Sequence, residues 1–388
     1  MSVAIVGWAH SPFGKLEGKD SEDLIVEVTR GAIEDAGIAP GEVDEIFIGQ
    51  FNGGFSPQDF PSSLVLQADD ALRFKRATHV ENACATGSAA IYQGMRAIEA
   101  ERLRFVLVVG VEKMTDLPRE RVAETLLRGC YVKEESEIEA GFAGVFARIC
   151  QAYFQRYGDQ SDAMAQVAAK NHRNGVANPY AHIRKDLGYA FCREVSEKNP
   201  VVAPPLKRTD CSMVSDGAAA LVLADVETSL TMKKAVVFRA AQQVNDFLPM
   251  SRRDIVAWEG VERAWRQAYE QASVTVDDLG FAEVHDCFTI AELMAYEAMG
   301  LTPKGQGASA IVEGWTEKDG KLPVNPSGGL KSKGHPIGAT GVSMHVLAAM
   351  QLTGSAGDMQ LADPALGAVF NMGGTGVANY VSILERLR

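Results

Sequence analysis

The sequence predicts an α/β protein of two similar halves, with a mainly helical segment inserted into the first. Three observations lead there. Short apolar runs alternate with amphipathic ones, the pattern of strands joined by packed helices. The same order of elements then returns in the second half, with "AGIAPGEVDEIFIGQFN" matched in pattern by "ASVTVDDLGFAEVHDCF". Between the halves, residues about 115–210 break the rhythm. The expected division is therefore 1–225 and 226–388, with the insertion inside the first part.

In the first half, "VAIVGWA" and "EIFIGQF" read as strands. Between them Leu24, Ile25, Val28, Ala32, Ile33 and Ala36 recur at helical spacing, with Ser21 as the expected N-cap and Gly37 as the stop. The strand "ATHVEN", the helix "GSAAIYQGMRAIEAERL" and the strand "RFVLVVGVE" follow. The insertion carries three helical stretches, "RERVAETLLRGC", "KEESEIEAGFAGVFARICQAYFQRYG" and "DAMAQVAAKNHRNGVANPYA", then the proline-rich "NPVVAPPLKR". It reads as a cover over one face of the molecule. In the second half "AVVFRAAQ" is a strand, "GVERAWRQAYEQAS" a helix and "LGFAEVHDCF" a strand. "ATGVSMHVLAAMQL" is a helix and "LGAVFNMGGTGVANYVSIL" a glycine-broken hairpin. A duplicated βαβ-type unit explains the parallel.

Composition narrows the function. The net charge of −12, from 38 basic and 50 acidic residues, argues against nucleic acid as the main partner. No apolar run reaches the roughly 18 residues of a membrane helix, and the start lacks the pattern of a signal peptide. A cytoplasmic protein is expected. The six cysteines include no CxxC pair, so reduced thiols are expected, each buried or chemically used. No histidine sits in a ligand-spaced cluster with cysteine, so no metal site is expected.

Four stretches carry candidate chemistry. In "ENACATGSAAIYQG", Cys84 lies at a helix start among small residues. The helix dipole and free N–H groups there are expected to lower its pKa and favour thiolate. In "NPSGGLKSKGHPIGATG", His335 is held between Gly334 and Pro336 in one orientation, as suits a general base. In "FNMGGTGVANY", Gly373, Gly374 and Gly376 can expose N–H groups to an oxyanion. In "EVHDCF", His285 and Cys287 alternate along an extended end and face one side, with Asp286 pointing away. The three do not read as a hydrolase triad, whose members converge from different directions. All four stretches follow strand-like runs, where ligands gather in βαβ sheets. A nucleophilic thiol, an imidazole base, a second thiol and oxyanion donors together suit Claisen chemistry on thioesters.

These motifs resemble the thiolase superfamily, and within it the sterol-carrier-protein-type thiolases. The likeness runs through "SPFGK", "NACATGSAA", "VEKM", "NPY", "CSMVSDGAAALVLA", "EVHDCF" and "NPSGGLKSKGHPIGATG" to the glycine-rich C-terminus. It implies a five-layered αβαβα fold, a homodimer or homotetramer, and coenzyme A thioesters as substrates with no permanently bound cofactor. It implies an acetyl-CoA acetyltransferase or 3-ketoacyl-CoA thiolase activity in fatty acid metabolism. Cys84 matches the acylated nucleophile and His335 its base. The N–H groups of Cys84 and Gly373 match one oxyanion hole, and His335 with His285 the other. Most thiolases carry their second cysteine in a C-terminal Cys-x-Gly loop; here Asn371 stands there, and Cys287 takes the acid/base role. Relatives of this kind include aldolases and proteins that need a small accessory subunit, so those readings stay open beside a non-catalytic one. Arg184, Lys185, Lys207 and Arg208 are candidates for the CoA phosphates.

Overall fold

A computed structural model describes residues 3–388. In the first half, β1 (Val3–His10) is followed by the helix Ser21–Ala36, β2 (Glu45–Gly49) and β3 (Arg76–Val80). The helix Thr86–Glu101 then leads into β4 (Phe105–Glu112). The inserted segment ends in a short pair, β5 (Val201–Ala203) and β6 (Leu206–Lys207), and β7 (Gly217–Asp225) completes this half. The second half runs β8 (Val236–Asn245), helix Glu259–Ala272, β9 (Phe281–Val284) and helix Thr289–Ala298. Helix Ile337–Leu352 and the hairpin of β10 (Leu366–Gly373) and β11 (Ala378–Arg386) complete the chain.

Nine strands share one sheet in the order β3-β2-β4-β7-β1-β8-β11-β10-β9. The duplication read from the sequence is visible in this order. In the first half, β2 and β4 are parallel, while β7 is antiparallel to both β4 and β1. In the second, β9 and β10 are parallel, while β11 is antiparallel to both β10 and β8. Even β3, parallel to β2, has a counterpart in the parallel bridge between Ala282 and Val324. The halves touch at a short seam, Ala4 with Val237 and Ile5 with Val236.

Helices cover the sheet in layers. Leu24, Ile25, Val28 and Ile33 of the first helix pack on Ala4, Val6, Ile46 and Ile48, the outer face of the first half. The helix Glu259–Ala272 covers the outer face of the second, where Trp265 meets Phe370 of β10. The next residue along β10, Asn371, points to the opposite face and accepts from Ser88 Oγ at 2.8 Å. Between the half-sheets lie the helices Thr86–Glu101 and Ile337–Leu352, one from each half. The second is apolar on nearly every side, as befits a helix with no solvent-facing stripe.

These two central helices approach at glycines. A Cβ on Gly87 would lie 2.6 Å from Val342 N and 2.9 Å from Gly338 O. One on Gly341 would lie 2.2 Å from Ser88 N, and one on Gly110 of β4 would lie 2.5 Å from Gly338 O. These neighbours are backbone atoms, so the helices themselves would have to part.

Local differences from the sequence reading have simple causes. The first helix is capped by Asp20, not Ser21: Asp20 Oδ1 accepts from Asp23 N at 2.9 Å and Asp23 Oδ2 from Asp20 N at 3.0 Å, a reciprocal capping box. Ser21 is the first helical residue, and Gly37 ends the helix at φ 72°. The stretch expected to be helical over 133–158 is broken at Ala140 and Gly141, both at positive φ, into Val132–Glu135 and Phe142–Tyr157. The strand expected over 279–288 stops at Val284. His285–Phe288 leave the sheet, and Ser212 N donates to Cys287 O at 2.8 Å.

The glycine contact yields a direct test. Gly341→Ala is expected to cost about 1–3 kcal/mol or more, as overpacking does, and to lower the urea midpoint accordingly. An unchanged midpoint would show that the helices have slack at this point.

Candidate active site

Cys84 sits on a tight turn between β3 and the first central helix. Asn82 N donates to Thr86 Oγ1 at 2.7 Å, Ala85 N to Asn82 O at 3.1 Å, and Ala83 takes φ 49°. The turn throws the thiol toward the second half. Its carbonyl accepts from Asn371 Nδ2 at 3.1 Å. The N–H groups of Gly374 and of Cys84 itself lie close enough to the sulfur to favour its thiolate. Gly373, the residue named from sequence, is the last of β10 and pairs with Ala378. The amide reaching the resting sulfur is one residue further on.

Helix-dipole reasoning predicted a lowered thiol pKa at Cys84. The structure reverses this: burial pushes it up to about 12, and Glu112 and Glu81 add to the rise against the two N–H groups. Cys84 is 9% exposed, and the loss of solvation outweighs the favourable dipole.

His335 lies opposite. Gly334 before it takes φ 105°, and Pro336 after it precedes the second central helix. Its Nδ1 is 2.7 Å from Thr340 Oγ1, whose own hydrogen goes to Pro336 O at 2.9 Å. Thr340 therefore accepts from Nδ1–H, which leaves Nε2 with a lone pair and no partner in the protein. Burial, reinforced by Lys333, pulls the imidazole down to about 3, so it is neutral. Lys333 is buried too and is brought down to about 8.

His285 completes the convergence. Its ring stands at 88° to that of His335, with centroids 5.0 Å apart, and its Nδ1 is 3.0 Å from Asn371 Nδ2. Burial first, then His335 and Lys333, holds it well below the usual imidazole range. Ligand atoms of Cys84, His285 and His335 all lie within 4.8 Å of one another, a spacing a soft metal could also use. Cys287 lines the same cavity; burial, then Cys84 and Asp286, raises its thiol well above the ordinary value. Asp286 points away, accepting from Leu330 N at 2.6 Å and Asn171 Nδ2 at 2.8 Å. It braces the loop that carries His335 and takes no place beside the thiols.

The cavity in front of Cys84 measures about 770 Å³. Phe51, Leu117, Leu126 and Phe142 give it apolar walls, three of them from the inserted segment. Of the four cations named for CoA phosphates, Arg208 lines the cavity. Lys207 is 4% exposed and paired with Asp210 at 2.8 Å, so it is not free for a phosphate. Arg184 and Lys185 are exposed and do not line it, whereas Lys15 and Arg119, unnamed from sequence, do. Thr340 was also missed. It stands five residues after His335 in the same glycine-rich motif, and that proximity was the available signal.

Comparison with known proteins gives the family. The family model "Thiolase, N-terminal domain" matches residues 3–227, and "Thiolase C-terminal domain-like" matches 241–386. The chain belongs to the thiolase family. It is 37% identical to an acetyl-CoA acetyltransferase of Methanothermobacter thermautotrophicus, over 99% of both chains. Human sterol carrier protein 2 is 31% identical over 96% of this chain and 70% of its own length. In fold the chain resembles an Ltp2-ChsH2(DUF35) aldolase, with a TM-score of 0.83 at 21% identity over 100% of this chain and 98% of that one. It also resembles an acetyl-CoA acetyltransferase from Syntrophomonas wolfei, at 0.71 and 19% over 99% of each. The α/β thiolase fold and the thiolase-type acyltransferase activity follow, with CoA thioesters as the family's substrates and no permanent cofactor. Among the described residues no helix is long and apolar enough to cross a membrane.

The raised thiol of Cys84 has a measurable consequence. Alkylation of Cys84 by iodoacetamide, followed by mass spectrometry, is expected to accelerate roughly tenfold per pH unit from pH 7 to 10 without a plateau, because only thiolate reacts. A plateau near neutrality would mean that the turn stabilises thiolate after all.

Proposed function

We propose that this thiolase transfers acyl groups through a thioester on Cys84. The observation that carries the reading is the neutral pair formed by the Cys84 thiol and the bare Nε2 of His335, facing each other at the end of a cavity. In the cleavage direction, His335 takes the Cys84 proton as the sulfur attacks the 3-keto carbon. The C2–C3 bond then breaks. The departing enolate takes a proton from Cys287, whose thiol is protonated at rest. His335 and His285 hold the enolate oxygen, and the N–H groups of Cys84 and the Gly373–Gly374 turn hold the acyl oxygen. Incoming CoA gives its proton to the Cys287 thiolate and takes the acyl group, and Cys84 recovers its proton from His335. Condensation is the reverse.

The apolar walls of the cavity support acyl chains longer than acetyl, in keeping with fatty acid metabolism. Arg208, Arg119 and Lys15 at its lining support anchorage of the CoA phosphates. The Ltp2-ChsH2(DUF35) likeness favours a second reading, in which the chain works with a small accessory subunit.

The homodimer reading is supported by β3, an edge strand of the sheet with Arg76, Thr78 and His79 exposed. Phe74 just before it is 86% exposed, and Phe60, which precedes a short helix packed against it, is 69% exposed.

Two experiments test these readings. After incubation with acetyl-CoA or longer acyl-CoAs, intact-protein mass spectrometry is expected to show one acyl adduct, absent in Cys84→Ala. Cys287→Ala should still acylate but lose the carbon–carbon step by about 10²–10⁴-fold, the weight of a positioned acid or base. No adduct with any acyl-CoA, as a retro-aldolase would give, sinks the assignment. By light scattering the wild type should weigh twice 41.7 kDa or more, and Phe74→Asp combined with Thr78→Lys should move it toward 41.7 kDa. A monomeric wild type would refute the dimer.

A further inference from the structure

By its resemblance to the family, Asn371 stands where most thiolases carry their second cysteine, and its hydrogen bonds are fully determined. Ser88 Oγ donates to its Oδ1 at 2.8 Å, and its Nδ2 donates to the Cys84 carbonyl at 3.1 Å. Turning the amide over would set Oδ1 against that carbonyl oxygen, acceptor against acceptor. The amide therefore has one orientation, and the second hydrogen on Nδ2 points at His285 Nδ1, 3.0 Å away. Nδ1 must accept it. Asn371, Ser88 and His285 are all fully buried, so water cannot replace any of these partners.

We infer that Asn371 is a positioning residue that locks His285 as the Nε2–H tautomer, making it a hydrogen-bond donor to the substrate oxygen. His335 is locked the other way by Thr340, with its lone pair on Nε2. The two imidazoles meet at 5.0 Å with opposite equipment: one accepts the Cys84 proton, the other presents a hydrogen to an oxyanion. Both Nε2 atoms lack a partner in the protein, which leaves them for the substrate. The same lock bears on the metal-like spacing of Cys84, His285 and His335. Ligation through Nε2 of His285 would put its proton on Nδ1, facing an Asn371 N–H, donor against donor. The cluster is therefore built for a substrate oxygen and not for a divalent cation.

This inference rests on the proposed roles of His285 and Cys84 but is tested apart from them. Nitrogen-15 histidine spectra of the wild-type protein, assigned with His285→Gln and His335→Gln, should show His285 protonated at Nε2 and His335 at Nδ1. An Nδ1–H signal for His285 overturns the inference whether or not Cys84 acylates; a missing acyl adduct with the expected spectrum instead rejects the Cys84 reading alone. In Asn371→Asp the carboxylate accepts from Nδ1–H, and the His285 spectrum should switch tautomer. The carbon–carbon step should then fall roughly 10²–10³-fold, as when one oxyanion donor is lost, while an adduct on Cys84 remains detectable. If Asn371→Asp does not fold, the wild-type spectra still decide. Stoichiometric Cd²⁺ binding that His285→Gln abolishes would also overturn the inference.

Discussion

The structure depends on a close approach between two central helices, one from each half. Gly87 and Gly341 let the helices Thr86–Glu101 and Ile337–Leu352 touch backbone to backbone, and Gly110 with Gly338 brings β4 into the same contact. That contact fixes how the halves sit across their short β1–β8 seam. It also brings the helix starts together, with Cys84 just before one and His335 just before the other. Asn371 then spans the gap, bonded to Ser88, to the Cys84 carbonyl and to His285. The site is thus a product of packing between duplicated units, and neither half holds it alone.

Burial sets the protonation of this junction. In water a cysteine and a histidine side by side readily exchange a proton. Here the loss of solvation raises both thiols and lowers both imidazoles, so every group rests neutral. Lys333 lies behind them and adds to the downward pull on the histidines. Glu112 adds to the rise at Cys84. Its carboxylate accepts from Phe51 N at 2.9 Å, Asn52 N at 3.0 Å and Gly338 N at 3.0 Å, tying the loop after β2 to the start of the second central helix. Burial raises that carboxyl to about 7, against the pull of the three N–H groups. On the two thiols and the two imidazoles charge then develops only when substrate arrives, at a place already equipped with donors.

The row His285-Asp286-Cys287 shows how one short segment serves three purposes. Once the chain leaves β9 at Val284, its side chains are no longer bound to the sheet. Cys287 turns to the cavity and His285 to Cys84 and His335, while Asp286 braces the His335 loop through Leu330 N and Lys331 N. Three chemically capable residues in sequence thus become an imidazole beside Cys84, a second thiol and a structural brace.

The sequence by itself determined the α/β class, the duplication and the identity of the chemical groups. Periodicity marks each long helix, as the Leu24–Ala36 stripe does, and the residues around Cys84, Cys287 and His335 form long, ordered motifs. Tertiary structure alone decided the rest. Strand ends and caps shifted by a few residues because carboxylates such as Asp20 and Glu112 compete for backbone N–H groups. The thiol pKa of Cys84 reversed direction because its burial depends on the opposite half, which no local dipole argument contains. Lys207 looked free until Asp210 was seen beside it, and Asn371 looked like a missing cysteine until its two hydrogens had partners. Local pattern names the groups; distances between segments hundreds of residues apart set their charge, tautomer and direction.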